Sequence, residues 1–333
     1  MSTETTPQLD AVSPSEGRHL ALPLSLFVAT CLSTFWVGAV DWKPIVHLEA
    51  LHGVLAAVYK GLVVFWRNSG QGEPWAALQQ ALAVAKLKWA QGFTYMGLVM
   101  ALLLAHEMGH FLMTLRHRIP ASLPFFIPLP VVPFGTLGAV IGMDGSRANR
   151  RQQFDLGIAG PLAGLAVTVP ILLMGIAMLP NRPLPGDSFC FHNPLLLQYL
   201  IVWLRPDYPT PQILYLNQFN SFLMAGWVGV LITGLNMLPI SQLDGGHVAY
   251  ALLGRRAHVL ARGIIIFAIL FVLAIDTYFW IPMLVLVILL GTDHPPTADD
   301  GCRLGWLRTA LGWASLLIPV LCFPLWGITP MGR

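Results

Sequence analysis

An apolar run from Phe93 to Leu104 (Phe-Thr-Tyr-Met-Gly-Leu-Val-Met-Ala-Leu-Leu-Leu) passes through Ala105 straight into His106-Glu107-Met108-Gly109-His110. The run reads as a helix embedded in a lipid bilayer, and the pentapeptide lies at its end. Histidines at i and i+4 stand one above the other on one helical face, the spacing that lets two imidazoles grip one zinc ion. The glutamate between them can sit close enough to take a proton from water activated by that ion. Ionisable groups at membrane depth are costly, and a cluster of them marks a functional site.

The whole chain fits that setting. Of its 333 residues 56% are hydrophobic and 11% charged, with a mean hydropathy of +0.67. A soluble domain carries about 25% charged residues, so the composition is that of a polytopic membrane protein. A formal net charge of +3 is too small to point to nucleic acid. The four cysteines, Cys31, Cys190, Cys302 and Cys322, are far apart and lack a CxxC spacing; Cys31 and Cys322 lie in apolar runs and read as small core residues.

Residues 1–18 are largely polar and lack the basic start of a cleaved signal peptide, so they read as a disordered leader. Leu20 to Val40 is 21 residues long, enough to cross about 30 Å of hydrocarbon. Further spans are expected near 92–115, 154–179, 219–240, 259–275, 278–291 and 304–327. The expected fold is therefore an all-α polytopic membrane protein with about six to seven transmembrane helices. The segments 259–275 and 278–291 are short and read as a hairpin or a partial span. Ile45 to Trp66 mixes apolar patches with His47, Glu49, His52 and Lys60, and reads as an interfacial amphipathic helix. The chain divides into a leader (1–18), a first span with an interfacial segment (19–91), a core (92–300) and a C-terminal span (301–333).

Between Ile119 and Met143 the chain is apolar but broken by five prolines, from Pro120 to Pro133, and by Gly135, Gly138 and Gly142. Prolines remove backbone donors and forbid a regular helix. Irregular backbone at membrane depth survives only where protein buries it or it lines a cavity. A short re-entrant or β element is expected here, leading into an extended strand over Phe134-Gly135-Thr136-Leu137-Gly138-Ala139-Val140. Arginines set the orientation: Arg116, Arg118, Arg147, Arg150 and Arg151 in one segment, Arg255, Arg256 and Arg262 in another, against Arg182 and Arg205 in the loop between. The positive-inside rule puts the first two on the cytoplasmic side, with the site opening toward it.

A catalytic zinc usually takes a third protein ligand and keeps an open position. Asp244, in Asn236-Met237-Leu238-Pro239-Ile240-Ser241-Gln242-Leu243-Asp244-Gly245-Gly246, is the best candidate. With two neutral imidazoles, this carboxylate and one hydroxide, Zn2+ is formally neutral, which matters at low dielectric. Asp244 is also a good helix N-cap residue. Asn236 could donate to a developing oxyanion or satisfy backbone at a helix break. His247 reads as structural or as a support behind the ligands, His294 as a loop residue.

These motifs together resemble the site-2 protease family of intramembrane zinc metalloproteases. His106-Glu107-x-x-His110 matches its first motif, and Asn236-x-x-Pro239 leading to Leu243-Asp244-Gly245-Gly246 its second. Ala159-Gly160-Pro161-Leu162-Ala163-Gly164 is similar to its small-residue stretch, and Phe134-Gly135-Thr136-Leu137-Gly138 to its substrate-lining strand. The resemblance covers roughly 92–300 and implies one Zn2+ held by His106, His110 and Asp244, Glu107 as catalytic base, and Asn236 near the scissile carbonyl. It implies a transmembrane protein substrate cut within the bilayer. No segment between the motifs is long enough for the PDZ domain of many relatives, and no soluble C-terminal domain is expected. A zinc transporter and a non-catalytic membrane binding protein are the alternatives. Intramembrane charge gathered at one place, rather than along several spans, disfavours transport.

Overall fold

The computed structural model describes residues 16–43, 73–143, 145–181, 189–275 and 278–330. The leader through residue 15 and the interfacial helix expected over 45–66 lie outside them. Helix α1 (Glu16–Ala39) is followed by α2 (Glu73–His117), a single 45-residue helix that carries the His-Glu-x-x-His motif in its last third. The two are fastened just beyond the end of α1, where Lys88 Nζ and Gln91 Nε2 donate to the Asp41 carboxylate. Helix α2 ends where Arg118 adopts a left-handed conformation (φ 57°) and Ile119 N–H turns back to the Thr114 carbonyl at 2.9 Å. Such a reversal satisfies otherwise orphaned carbonyls, and Pro120 cannot resume the helix.

The proline-rich stretch folds as an antiparallel hairpin of β1 (Phe125–Leu129) and β2 (Gly135–Val140). Ile127 faces Gly138 and Pro128 faces Thr136, so Leu137 is a bulge and points outward. The hairpin leans on α1 and α2: Ser33 Oγ donates to the Gly135 carbonyl at 2.5 Å and Tyr95 hydroxyl to that of Phe134 at 3.1 Å. Gly135 has φ 75°, and a Cβ there would lie 2.8 Å from Thr34 Cα. A side chain is excluded on both counts.

Helix α3 (Arg150–Ala177) begins at a capping box, with Asn149 Oδ1 accepting from the backbone of Arg151 and Gln152. A small antiparallel sheet follows, in the order β4 (Ile213–Tyr215), β3 (Phe189–His192), β5 (Ile328–Pro330), with the short helix α4 (Leu195–Leu204) between β3 and β4. Helix α5 (Ser221–Asn236) is buried over most of its surface and forms the centre of the molecule with α2 and α3. A helix apolar all round is buried in a protein core or a membrane; Trp227 on α5 is fully buried and stacks on Phe134 at 5.7 Å. Then come α6 (Asp244–Leu253), α7 (Arg256–Ile275), α8 (Ile281–Leu290), α9 (Trp306–Ser315) and α10 (Ile318–Cys322).

The molecule is mostly helical, as expected, and the hairpin stands where a short β element was expected, but the all-α description needs correcting for the three-stranded sheet. Among the described residues four helices are long and apolar enough to cross a membrane: Leu20–Ala39, Lys86–His117, Arg150–Ala177 and Arg256–Ile275. The expected count of six to seven is not reached by length. The 16 residues of α5 reach about 24 Å at 1.5 Å per residue. The expected span over 278–291 is a 3-10 turn and a ten-residue helix. The expected span over 304–327 is two short helices that break before Pro319, which lacks the N–H to continue the first.

Candidate metal centre

Three elements meet at the motif. His106 and His110 project from α2 onto α3, whose Gly160 and Gly164 leave room for the rings. A Cβ on Gly160 would lie 2.1 Å from His110 Nε2, and one on Gly164 3.2 Å from His106 Nδ1. The third element is the turn between α5 and α6, where the backbone doubles back so closely that a Cβ on Gly245 would lie 2.0 Å from the Met237 carbonyl oxygen and one on Gly246 2.2 Å from that of Ser241. The two glycines let this turn pack flat, and Asp244 follows at its end. Asp244 is not the N-cap of α6; Leu243 takes that position, so the carboxylate is free of capping duty.

His106 Nε2 and His110 Nε2 are 3.2 Å apart, and Asp244 Oδ2 lies 3.2 and 3.3 Å from them. Both rings are buried. His110 Nδ1 sits 2.9 Å from the Leu156 carbonyl of α3 and donates to it, so in the neutral ring Nε2 presents a lone pair. Asp244 Oδ2 is buried without a hydrogen-bond partner. Three lone-pair atoms thus converge, an arrangement that repels itself unless a cation sits among them. Zinc bonds of about 2.0–2.1 Å at tetrahedral angles put neighbouring ligand atoms roughly 3.3 Å apart. The donor set and its edge lengths fit zinc, and these three residues are the one group of metal-capable side chains among the described residues.

Glu107 is buried in the same turn of α2, within electrostatic reach of His106, His110 and Asp244. Asn236, the last residue of α5, places Nδ2 3.2 Å from His106 Nε2. Five residues singled out in the sequence, His106, Glu107, His110, Asn236 and Asp244, are therefore brought together from three elements. Phe134, Gly135, Thr136, Leu137 and Gly138 form a separate group in the hairpin, where Thr136 Oγ1 donates to the Ile127 carbonyl at 2.9 Å. Sequence reading missed the Leu156 carbonyl, which has no side-chain signature, and it left His294 as a loop residue although the ring is buried against His247.

The description of peptidase family M50 matches residues 94–275, more than half of the chain. The chain belongs to peptidase family M50. This is the site-2 protease family that the motifs resemble. This M50 chain is 28% identical over 235 residues to the probable zinc metalloprotease EGY1, chloroplastic, of Arabidopsis thaliana, covering 68% of this chain and 42% of that protein. To the EGY1 protein of Oryza sativa subsp. japonica it is 30% identical over 235 residues, 68% of this chain and 40% of the other. The probable zinc metalloprotease EGY2 of Arabidopsis thaliana is 31% identical over 162 residues, 48% of this chain and 28% of that one. The M50 chain thus spans about two-fifths of the length of the EGY1 relatives. No solved structure matches it at a significant level.

Proposed function

We propose that this M50 chain is a zinc-dependent endopeptidase that hydrolyses peptide bonds in or near the transmembrane segment of membrane-anchored proteins. The observation that carries the reading is the convergence of His106 Nε2 and His110 Nε2, on a helix apolar enough to cross a membrane, with Asp244 Oδ2 of α6 at 3.2–3.3 Å. A zinc ion held there would act as a Lewis acid, polarising the scissile carbonyl and lowering the pKa of water to about 7. The Glu107 carboxylate takes the proton of the attacking water and returns it to the leaving amine nitrogen. Asn236 Nδ2–H donates to the oxygen that gains charge in the tetrahedral transition state. Burial of the group in the α2–α3–α5 centre keeps bulk water out, which strengthens each of these interactions.

The catalytic unit is taken to be residues 92–300; across the chain the shorter helices α5 and α8–α10 complete partial crossings beside the four long ones. The hairpin enters from the membrane surface, and β2 offers its open edge to an unwound substrate segment, pairing the backbone groups that lipid cannot. The arginine-rich ends near α3 and α7 face the cytoplasm. A zinc transit path would need successive sites, and the described residues supply one metal-capable group; a non-catalytic role leaves the buried Glu107 without purpose.

The test uses the full chain purified in detergent, assayed for bound zinc and for cleavage of a panel of membrane-anchored peptides. One zinc per chain and cleavage lost on chelation are expected, with His106→Ala and Asp244→Ala losing both. Zinc bound but no peptide cut across the panel would point to the transport or binding reading.

A further inference from the structure

His247 lies one turn past Asp244 on α6, and its Nδ1 is 2.6 Å from Nε2 of His294 in the loop between α8 and α9. Both rings are buried, His294 at 6% exposure, and the side-chain amide of Gln153 on α3 touches both of them. The second nitrogen of His294 fixes the protons. Nδ1 lies 2.5 Å from the Pro295 carbonyl oxygen, which can only accept, so Nδ1 carries a hydrogen. In the neutral ring Nε2 then accepts. The Gln153 amide, whose oxygen otherwise lies buried without a partner, turns that oxygen rather than its nitrogen toward His247 Nδ1, so Nδ1 carries a hydrogen and donates to His294 Nε2. At 2.6 Å this contact is a hydrogen bond and too short for the edge of a ligand set, unlike the 3.2 Å between His106 and His110. The pair is a strut rather than a second metal site.

The strut has a firm footing. Tyr250 of α6 stacks on the His294 ring at 4.5 Å and 16° and donates its hydroxyl proton to Asp300 Oδ2 at 3.0 Å. Ala298 N–H donates to the Ala148 carbonyl at 2.9 Å, and Arg150 N–H to that of Asp299 at 3.2 Å, tying the loop to the start of α3. The first turn of α6 is gripped from another direction by Gly157 of α3. A Cβ there would lie 2.8 Å from both the Asp244 carbonyl oxygen and His247 Cβ. The turn that carries Asp244 has no side-chain cap of its own, so its aim depends on these outer contacts.

We propose that His294 is a positioning residue for the metal centre: it holds His247, and through it the helical turn that points the Asp244 carboxylate at His106 and His110. The inference rests on the reading of those three residues as zinc ligands. Loss of a supporting partner behind a ligand typically weakens metal binding by ~10–100-fold.

Two substitutions in the full chain separate this role from packing. His294→Phe keeps a ring to stack on Tyr250 but removes the acceptor for His247 Nδ1–H. His294→Gln gives up the ring but sets an amide oxygen near the place of Nε2. Zinc dissociation constants are measured against a chromophoric chelator, beside the thermal midpoint of the zinc-free proteins. The phenylalanine variant is expected to bind zinc ~10–100-fold more weakly at an unchanged zinc-free midpoint, and the glutamine variant to bind close to the native level. A packing role predicts the reverse order. Native-like zinc binding by His294→Phe, or equal weakness in His294→Gln, overturns the proposal. If the phenylalanine variant cannot be recovered, His294→Met, whose unbranched chain adapts to the cavity, replaces it with the same expected and overturning results. A native protein that binds no zinc would sink the ligand reading and this inference with it; native zinc binding that His294→Phe leaves untouched sinks the inference alone.

Discussion

Gly160 of α3 faces His110 of α2 so closely that a Cβ would lie 2.1 Å from Nε2, the atom turned toward His106 and Asp244. No flexible side-chain end is available to give way, because His110 is held by the Leu156 carbonyl one turn earlier on the same helix. Gly160→Ala must therefore push α3 away or turn the imidazole off its bearing. Overpacking of this kind costs about 1–3 kcal/mol, and where it falls on the ligand it weakens zinc binding roughly ten- to hundred-fold. Chelator competition on the purified variant checks this. Alanine at Gly138, whose Cβ would meet nothing, is the comparison on the space argument, although its φ of 108° adds backbone strain of its own.

Asn236 is expected to act on rate alone. Asn236→Ala should lower kcat by ~100–1,000-fold, the usual effect of removing one oxyanion donor, with zinc content and KM close to native. A rise in KM at constant kcat would assign Asn236 to substrate binding instead.

Substrate conformation gives a third expectation. Carbonyls in a regular helix are hydrogen-bonded and packed behind side chains, so the cut needs local unwinding, which in lipid costs several kcal/mol per freed group unless the protein pairs it. Gly or Pro near the scissile bond should speed cleavage, and helix-stabilising Leu or Ala should slow it. Proline at Gly135 is a poor probe of the β2 edge, because φ 75° and the Thr34 contact exclude proline there on structural grounds. Leu137→Pro, at the exposed bulge, removes one backbone donor and should reduce cleavage without loss of zinc. Cleavage indifferent to both substrate helicity and Leu137→Pro would remove β2 from the account.

Orientation is checked with single cysteines at the exposed positions Arg151, Arg255 and Thr210 after replacement of the four native cysteines, which are all free thiols. An impermeant thiol reagent applied to intact cells should label Thr210→Cys and spare the other two. The opposite pattern would invert the topology.

The convergence of the candidate metal ligands was legible because that chemistry demands fixed residue types at fixed spacing. His106 and His110 share a helical face whatever surrounds them, and Asp244 was found by following charge into an apolar stretch. The supports were hidden for physical reasons. The Leu156 carbonyl belongs to no residue type, and His294 meets His247 only through a loop that closes from 47 residues away. The β3–β4–β5 sheet escaped because strands of three or four residues are too short to show a two-residue period. Four helices of spanning length stand among the described residues, fewer than the apolar runs suggested, because runs such as 219–240 and 304–327 fold as short helices, a break that hydropathy alone does not register.

The central claim is that Glu107 moves a proton while His106, His110 and Asp244 hold the metal, and Glu107→Gln tests it most directly. The amide keeps the size of the side chain and cannot take the proton. Zinc content and cleavage rate are measured on the same purified sample, with a membrane-anchored peptide that the native protein cuts. The account predicts one zinc per chain, as in the native protein, and no detectable cleavage; near-native turnover with zinc in place would contradict it.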